Sequence, residues 1–327
     1  MTKEELKIVF MGTPDFAVES LRALVEGGYT VVGVVTMPDK PVGRHGSVLQ
    51  ASAVKQYAQS VGLPVFQPEK LKDESFIEAL RSLQADLQIV VAFRMLPEIV
   101  WDMPRFGTFN LHASLLPQYR GAAPINWAIV NGEKETGATT FFLTHEIDTG
   151  KIIRQKKLPI AETDDVGIVH DALMTMGAKL VTETVDLLII NGGDIETIPQ
   201  ENFYTHAEDL RPAPKIFKDT CRIHWNQPTE KVYNFIRGLS PYPAAWTEFV
   251  NQEGERVSLK IFQSEKLIEN HALAAGTVRA DKHHLDIATA DGFIRILSLQ
   301  LAGKKRMSTK DFLSGNALFV EKWMIEN

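Results

Sequence analysis

The sequence predicts an α/β protein in two parts: an N-terminal doubly wound, mostly parallel sheet, then a small C-terminal β-barrel or sandwich. Three observations carry this. Strand-like and helix-like segments alternate through the first half, and the strands are nearly all apolar, as strands covered on both faces are. After Asn191-Gly192-Gly193 the pattern changes to short β runs separated by turn signals. The 327 residues, 44% hydrophobic and 23% charged, suffice for two cores at roughly 150 residues per domain.

The elements follow in order. Lys7–Met11 is β-rich and is broken by Gly12-Thr13-Pro14-Asp15. Phe16–Glu26 has helical spacing and stops at Gly27-Gly28. Thr30–Thr36 is an apolar strand, and Pro38–Gly46 is a loop rich in Pro, Gly and basic residues. The spacing over Val48–Val61 predicts a helix ended by Gly62-Leu63-Pro64, and Asp73–Leu83 predicts another with an acid at its start. Leu87–Phe93 and Gly107–His112 are strands; Pro124–Asn131 is a short helix. Strands near Thr139–Leu143 and Ile152–Leu158 precede a long helix over Asp165–Leu188. Asp194–Pro214 is polar and irregular. Beyond it come a helix at Glu230–Arg237 and strands near Thr247–Val250, Arg256–Phe262, Leu285–Ala288 and Phe293–Leu299. The expected division is residues 1–190 as a catalytic domain, 191–208 as a linker and 209–327 as the second domain.

Composition excludes several classes of function. The one cysteine, Cys221, allows neither an internal disulfide nor a cysteine-rich metal site, and fits a reducing compartment. Met1-Thr2-Lys3-Glu4-Glu5 places acids where a secretory signal needs a basic start, and Val31–Val35 and Leu87–Phe93 are far short of the ~20 residues that span a bilayer. The expected location is the cytoplasm, with no membrane partner. Net charge is −6, but from Asp209 onward 17 basic residues stand against 14 acidic ones, leaving +3 there and −9 before it. A basic second domain fits a polyanionic partner; the same asymmetry is also within ordinary scatter.

Gly12-Thr13-Pro14-Asp15 does not match the Gly-x-Gly-x-x-Gly of dinucleotide-binding turns, so a nicotinamide cofactor is not expected. The informative run is Phe109-Asn110-Leu111-His112-Ala113-Ser114-Leu115-Leu116-Pro117. Alternation along a strand puts Asn110 and His112 on one side and Phe109 and Leu111 on the other. The carboxyl end of a parallel strand is where open α/β sheets bind ligands. An amide beside an imidazole can donate to a developing oxyanion, and the imidazole can move a proton. The other reading is a structural histidine next to a turn-forming asparagine. In His145-Glu146-Ile147-Asp148-Thr149-Gly150, Asp148 either shapes a turn or serves a histidine as its acidic partner. His145-x-x-Asp148 lacks a third ligand, so no metal is expected.

Together these residues resemble a known family. Gly12-Thr13-Pro14-Asp15-Phe16, Asp39-Lys40-Pro41-Val42-Gly43-Arg44, Asn110-x-His112, Ser114-Leu115-Leu116-Pro117, Arg120-Gly121-Ala122-Ala123-Pro124, Asp148-Thr149-Gly150 and Gly303-Lys304-Lys305-x-Met307 occur here in one order. The chain resembles the methionyl-tRNA formyltransferases over essentially its whole length. Asn-x-His, Ser-Leu-Leu-Pro and Asp-Thr-Gly are shared among folate-dependent formyltransferases; the first, second and last elements point to the tRNA branch.

The resemblance implies a Rossmann-like formyltransferase sheet and an OB-like barrel. It implies 10-formyltetrahydrofolate as donor, initiator Met-tRNA as acceptor and N-formylmethionyl-tRNA as product, with no metal. It implies Asn110, His112 and Asp148 as catalytic residues, and Ser114, Leu115, Leu116 and Pro117 as the wall of the folate pocket. Arg44 would reach the tRNA acceptor end, and Lys304, Lys305 and Arg306 would contact phosphate. Two places depart from the family's pattern. His45-Gly46-Ser47-Val48 replaces the usual lysines after Arg44, and Arg94 stands where a glycine is usual, in a stretch one residue shorter.

Overall fold

The computed structural model describes residues 1–42, 48–251, 253–315 and 323–325. The chain forms two compact units. The first comprises Met1–Gly121, Glu135–Pro159 and His170–Pro212; the second comprises Ala122–Lys134, Ile160–Val169 and Ala213–Asn327.

The elements begin β1 (Lys7–Gly12), α1 (Asp15–Glu26), β2 (Thr30–Val35), β3 (Lys40–Val42), β4 (Val48–Gln50), α2 (Ala53–Ser60), β5 (Val65–Phe66) and α3 (Glu74–Ser82). They continue with β6 (Leu87–Val91), α4 (Glu98–Trp101), β7 (Thr108–His112), α5 (Pro124–Val130), β8 (Glu135–Phe142), β9 (Ile152–Pro159) and α6 (Val166–Ile190). Then come α7 (Thr229–Leu239), β10 (Ala245–Asn251), β11 (Arg256–Leu267), β12 (Val278–Ala280), β13 (Leu285–Ala288), β14 (Phe293–Leu301), β15 (Met307–Ser308), α8 (Thr309–Gly315) and β16 (Trp323–Ile325).

The first unit holds a seven-stranded sheet in the order β5-β2-β1-β6-β7-β8-β9. The five strands from β5 to β7 run parallel, and β8 and β9 are antiparallel additions. Both faces are covered. Val9 and Met11 pack with Val90, Phe76, Ile77 and Leu80 on one side. Ile8 and Phe10, which alternation places on the other, are equally buried. Each such side chain removed from water contributes about 1.5–3 kcal/mol. The chain winds from β1 outward to β2 and β5, then returns to β6 on the other side of β1. That reversal is the switch point beside which open sheets bind ligands, and β7 is the next strand along.

The helix expected over Val48–Val61 is shorter than its spacing predicts. Val48–Gln50 pairs antiparallel with Lys40–Val42, and the helix begins only at Ala53. Ser52 is the reason: its hydroxyl accepts from Lys55 N at 3.0 Å and caps the helix there.

In the second unit an antiparallel sheet, ordered β12-β13-β14-β11-β10-β16 with β15 on β14, curls into a near-closed barrel. Its core joins Val232, Ile236 and Leu239 of α7 to Phe249, Leu259, Ile261, Ile294 and Phe312. α5 packs on α7 at Gly238, where a Cβ would lie 2.6 Å from the Val130 side chain and 2.8 Å from its backbone N. Among the described residues, no helix is long and apolar enough to cross a membrane.

Candidate active site

β7 carries the site. Phe109 and Leu111 are buried in packing, whereas the side chains of Asn110 and His112 share the alternate face. His112 is only 7% exposed. Its Nε2 lies 2.8 Å from the carbonyl oxygen of Tyr119. A carbonyl only accepts, so this contact puts the ring hydrogen on Nε2 and leaves Nδ1 as the nitrogen free to take up or release a proton. Nδ1 lies 3.8 Å from Oδ2 of Asp148.

Asp148 sits in the loop between β8 and β9 with φ at 56°, in the left-handed region. Its Oδ2 accepts from Gly121 N at 2.9 Å. Gly150 closes the same turn directly on β8: a Cβ there would meet the carbonyl oxygen of Phe142 at 1.6 Å. The structure therefore brings Asp148 both to a turn and to the imidazole. Asn110 presents a buried Oδ1 with no hydrogen-bond partner among the described residues. Buried polar atoms are nearly always satisfied, so an orphan on the ligand-facing side of a strand fits a residue whose partner is a substrate.

The loop from Ala113 to Gly121 is held from below. Thr139, fully buried, donates from its hydroxyl to Ser114 O at 2.7 Å and accepts from Leu116 N at 3.2 Å. Gln155 Nε2 donates to Leu116 O at 2.7 Å. Ser114 is itself fully buried, its hydroxyl donating to Gln118 O at 2.7 Å. Leu116 belongs to a small core with Phe141 and Ile152, and Pro117 is buried. Within Ser114–Pro117 only Leu115 is half-buried.

Sequence reasoning missed Gln200. It lies in the irregular stretch after α6, on a single 3₁₀ turn (Gln200–Phe203), yet is fully buried. Its amide binds the main chain at Asp148 and Gly150 and the side chain of Arg120. Farther along, Arg211 O accepts from Tyr119 N at 2.7 Å, and Gln118 bonds both Asp209 O and Arg211 N. The polar stretch thus lies against the site loop. Nothing in its composition marks this; the one local signal is Pro199, which introduces the turn.

The guanidinium of Arg94 donates to the carbonyls of Pro68 and Glu69, at 2.7 Å for Glu69, and its Nε is buried without a partner among the described residues. Burial pushes this guanidinium below its usual value. Arg94 thus braces the loop after β5 from the loop after β6. Arg44 lies outside the described residues. Lys304, Lys305 and Arg306 are exposed on the turn between β14 and β15, with Arg306 tethered by a 2.8 Å bond to Ser298 Oγ and stacked 4.4 Å from the Phe262 ring. Among the described residues, no group of three or more His, Cys, Asp or Glu is placed to hold a metal.

A parallel sheet carries an amide–imidazole pair beside a carboxylate, polar groups able to hold an oxyanion and move a proton, and comparison with known proteins identifies the family. Residues 6–185 match the family described as formyl transferase, and residues 215–317 match its C-terminal domain. The chain belongs to the formyl transferase family. It is 72% identical to the methionyl-tRNA formyltransferase of Parabacteroides distasonis, over 96% of this chain and 97% of the relative. It is 66% identical to that of Bacteroides fragilis, over 96% of each. Among solved structures it shares its fold with HypX from Aquifex aeolicus in complex with tetrahydrofolic acid (TM-score 0.62, 19% identity). That match covers 96% of this chain but 48% of the other, so the chain spans about half of HypX. It likewise shares its fold with WlaRD, a sugar 3N-formyl transferase (TM-score 0.63, 19% identity, 92% of this chain and 100% of the other).

Proposed function

We propose that this chain transfers the formyl group of 10-formyltetrahydrofolate to the α-amino group of methionyl initiator tRNA. The product is N-formylmethionyl-tRNA for translation initiation in the cytoplasm. The observation that carries this reading is the 72% identity to a methionyl-tRNA formyltransferase along 96% of the chain.

The site's geometry supports a direct transfer. The neutral amine attacks the formyl carbon, forming a C–N bond and turning the formyl oxygen into an oxyanion. Asn110 donates to that oxygen through its amide, and His112 donates through Nδ1 when protonated; one such donor contributes about 2.7–4 kcal/mol. Asp148, 3.8 Å from Nδ1, stabilises the charged imidazole and takes the proton that the amine loses, directly or through water. That proton goes to the folate nitrogen as its bond to the formyl carbon breaks. No covalent enzyme intermediate is required. Ser114, Leu115, Leu116 and Pro117 form the wall on which the donor lies, Leu115 as surface and Leu116 as the support behind it. The same reading assigns residues 1–190 to chemistry, 191–208 to the link and 209–327 to tRNA, with Arg44, Lys304, Lys305 and Arg306 as tRNA contacts.

The test is incubation with 10-formyltetrahydrofolate and Met-tRNA, with mass analysis of the aminoacyl group, alongside an amino-sugar nucleotide as competing acceptor. Donor-dependent addition of one formyl group to methionine is expected. Formylation of the sugar nucleotide alone would move the chain to a different acceptor class.

A further inference from the structure

We infer that Gln200 is a positioning residue for Asp148, with Arg120 setting its orientation. The inference rests on the catalytic reading of Asp148 given above. Gln200 is 0% exposed. Its Nε2 donates to the carbonyls of Asp148 and Gly150, each at 2.8 Å. Its Oε1 accepts from Arg120 Nε at 3.0 Å and Nη2 at 2.7 Å. A carboxamide has two donor hydrogens and two acceptor lone pairs, so all four are in use. A buried amide satisfied in this way has one orientation, because a flip would set its oxygen against two carbonyls and its NH₂ against a guanidinium.

What it fixes is the backbone on both sides of Thr149. Asp148 is in the left-handed region, which costs an L residue other than glycine free energy unless its surroundings hold it there. Two carbonyls clamped by one NH₂ group supply that restraint. They set the direction of the Asp148 Cα–Cβ bond, and so the approach of its carboxylate to His112. The ring of contacts closes on itself. Arg120 grips Gln200, Gln200 grips the Asp148 main chain, and the Asp148 carboxylate accepts from Gly121, the residue after Arg120, at 2.9 Å. His112 faces this ring through Nδ1. Gln200 reaches it because Ile198 bridges Ile152 at the start of β9, just past the Asp148 turn.

A residue acting through Asp148 has a signature that a merely structural one lacks. Gln200→Met keeps length and removes every hydrogen bond. With Met-tRNA and 10-formyltetrahydrofolate, kcat should fall about tenfold or more while both KM values change less than about threefold. The pH–rate profile should move as it does in Asp148→Asn. In the Asp148→Asn background, Gln200→Met should cost less than about threefold further, the non-additivity expected of coupled groups. Arg120→Met, at a half-buried position, frees the amide from the other side. It should show the same kcat loss and non-additivity, and it carries the test if Gln200→Met does not fold. A folded Gln200→Met or Arg120→Met enzyme with near wild-type kcat, or full additivity with an impaired Asp148→Asn, would overturn the inference. An Asp148→Asn enzyme as fast as wild type at every pH would instead remove the Asp148 role beneath it.

Discussion

His112 keeps its Nε2 hydrogen on the Tyr119 carbonyl, so any proton it moves, and any bond it offers a substrate, passes through Nδ1. Among the described residues that nitrogen faces one carboxylate, Asp148, at 3.8 Å. The separation is too long for a direct hydrogen bond and short enough for a charge to be felt. If this charge supports the imidazolium, Asp148→Asn should lose most of the rate and change the shape of the pH–rate profile while the protein stays folded. If Asp148 only shapes its turn, asparagine should serve nearly as well, since it also tolerates the left-handed conformation. Equal rates for the two enzymes across the pH range would leave only the turn role. That Asn110 and His112 share a face was legible in the sequence, because alternation on a strand fixes it; spacing alone left their chemical role as one of two readings. Asp148 was likewise one of two readings, because Asp-Thr-Gly makes a turn whether or not a histidine lies beside it. Gln200 was not legible. It lies 50 residues after Gly150, in a stretch without periodicity, and its role exists only through tertiary hydrogen bonds.

At the scale of elements, the apolar strands β1, β2, β6 and β7 and the long α6 were visible because each is long enough to show its period. β5, β12, β15 and β16 have two or three residues each, too few for any period to appear. They exist because a longer strand or its neighbours template them. The start of α7 illustrates a terminal interaction that spacing cannot reveal. Thr229 donates to Asp291 from both its backbone N and its hydroxyl, each at 2.7 Å. Those two donors, the backbone one first, hold the Asp291 carboxyl below its usual value. A carboxyl lowered in the folded state stabilises above its ordinary value, and that stability is lost as pH falls through the folded value. Asp291→Asn should therefore lower the melting temperature above pH 5 by only about 2 °C, since the group is exposed. The difference from wild type should begin to shrink as pH falls below about 4 and vanish only below the lowered folded value. Melting curves across that range check this; a constant difference down to acid pH would show that the charge plays no part.

At the scale of the whole molecule, the two units differ in what they offer a ligand. The first unit presents a nearly buried polar centre on an apolar sheet; the second exposes cations such as Lys304 and Lys305 on a barrel turn. Phosphate binding releases counterions, so affinity for Met-tRNA should fall steeply with salt, whereas folate binding should vary far less. Replacing Lys304, Lys305 and Arg306 together by alanine should weaken tRNA binding and flatten its salt slope by about one unit for each phosphate no longer neutralised. The rate at saturating tRNA should change little, because the three lie outside the unit that carries His112. Titrations at several salt concentrations decide this; an unchanged slope would take the cluster out of the tRNA interface.

The most direct test of the account is the single-turnover rate of formyl transfer to Met-tRNA, with both substrates saturating, for the wild-type chain and for His112→Ala. Formylated methionine is expected from the wild type, with a loss of at least about 100-fold in a variant whose melting curve stays cooperative. A folded His112→Ala protein that formylates Met-tRNA near the wild-type rate would contradict this expectation.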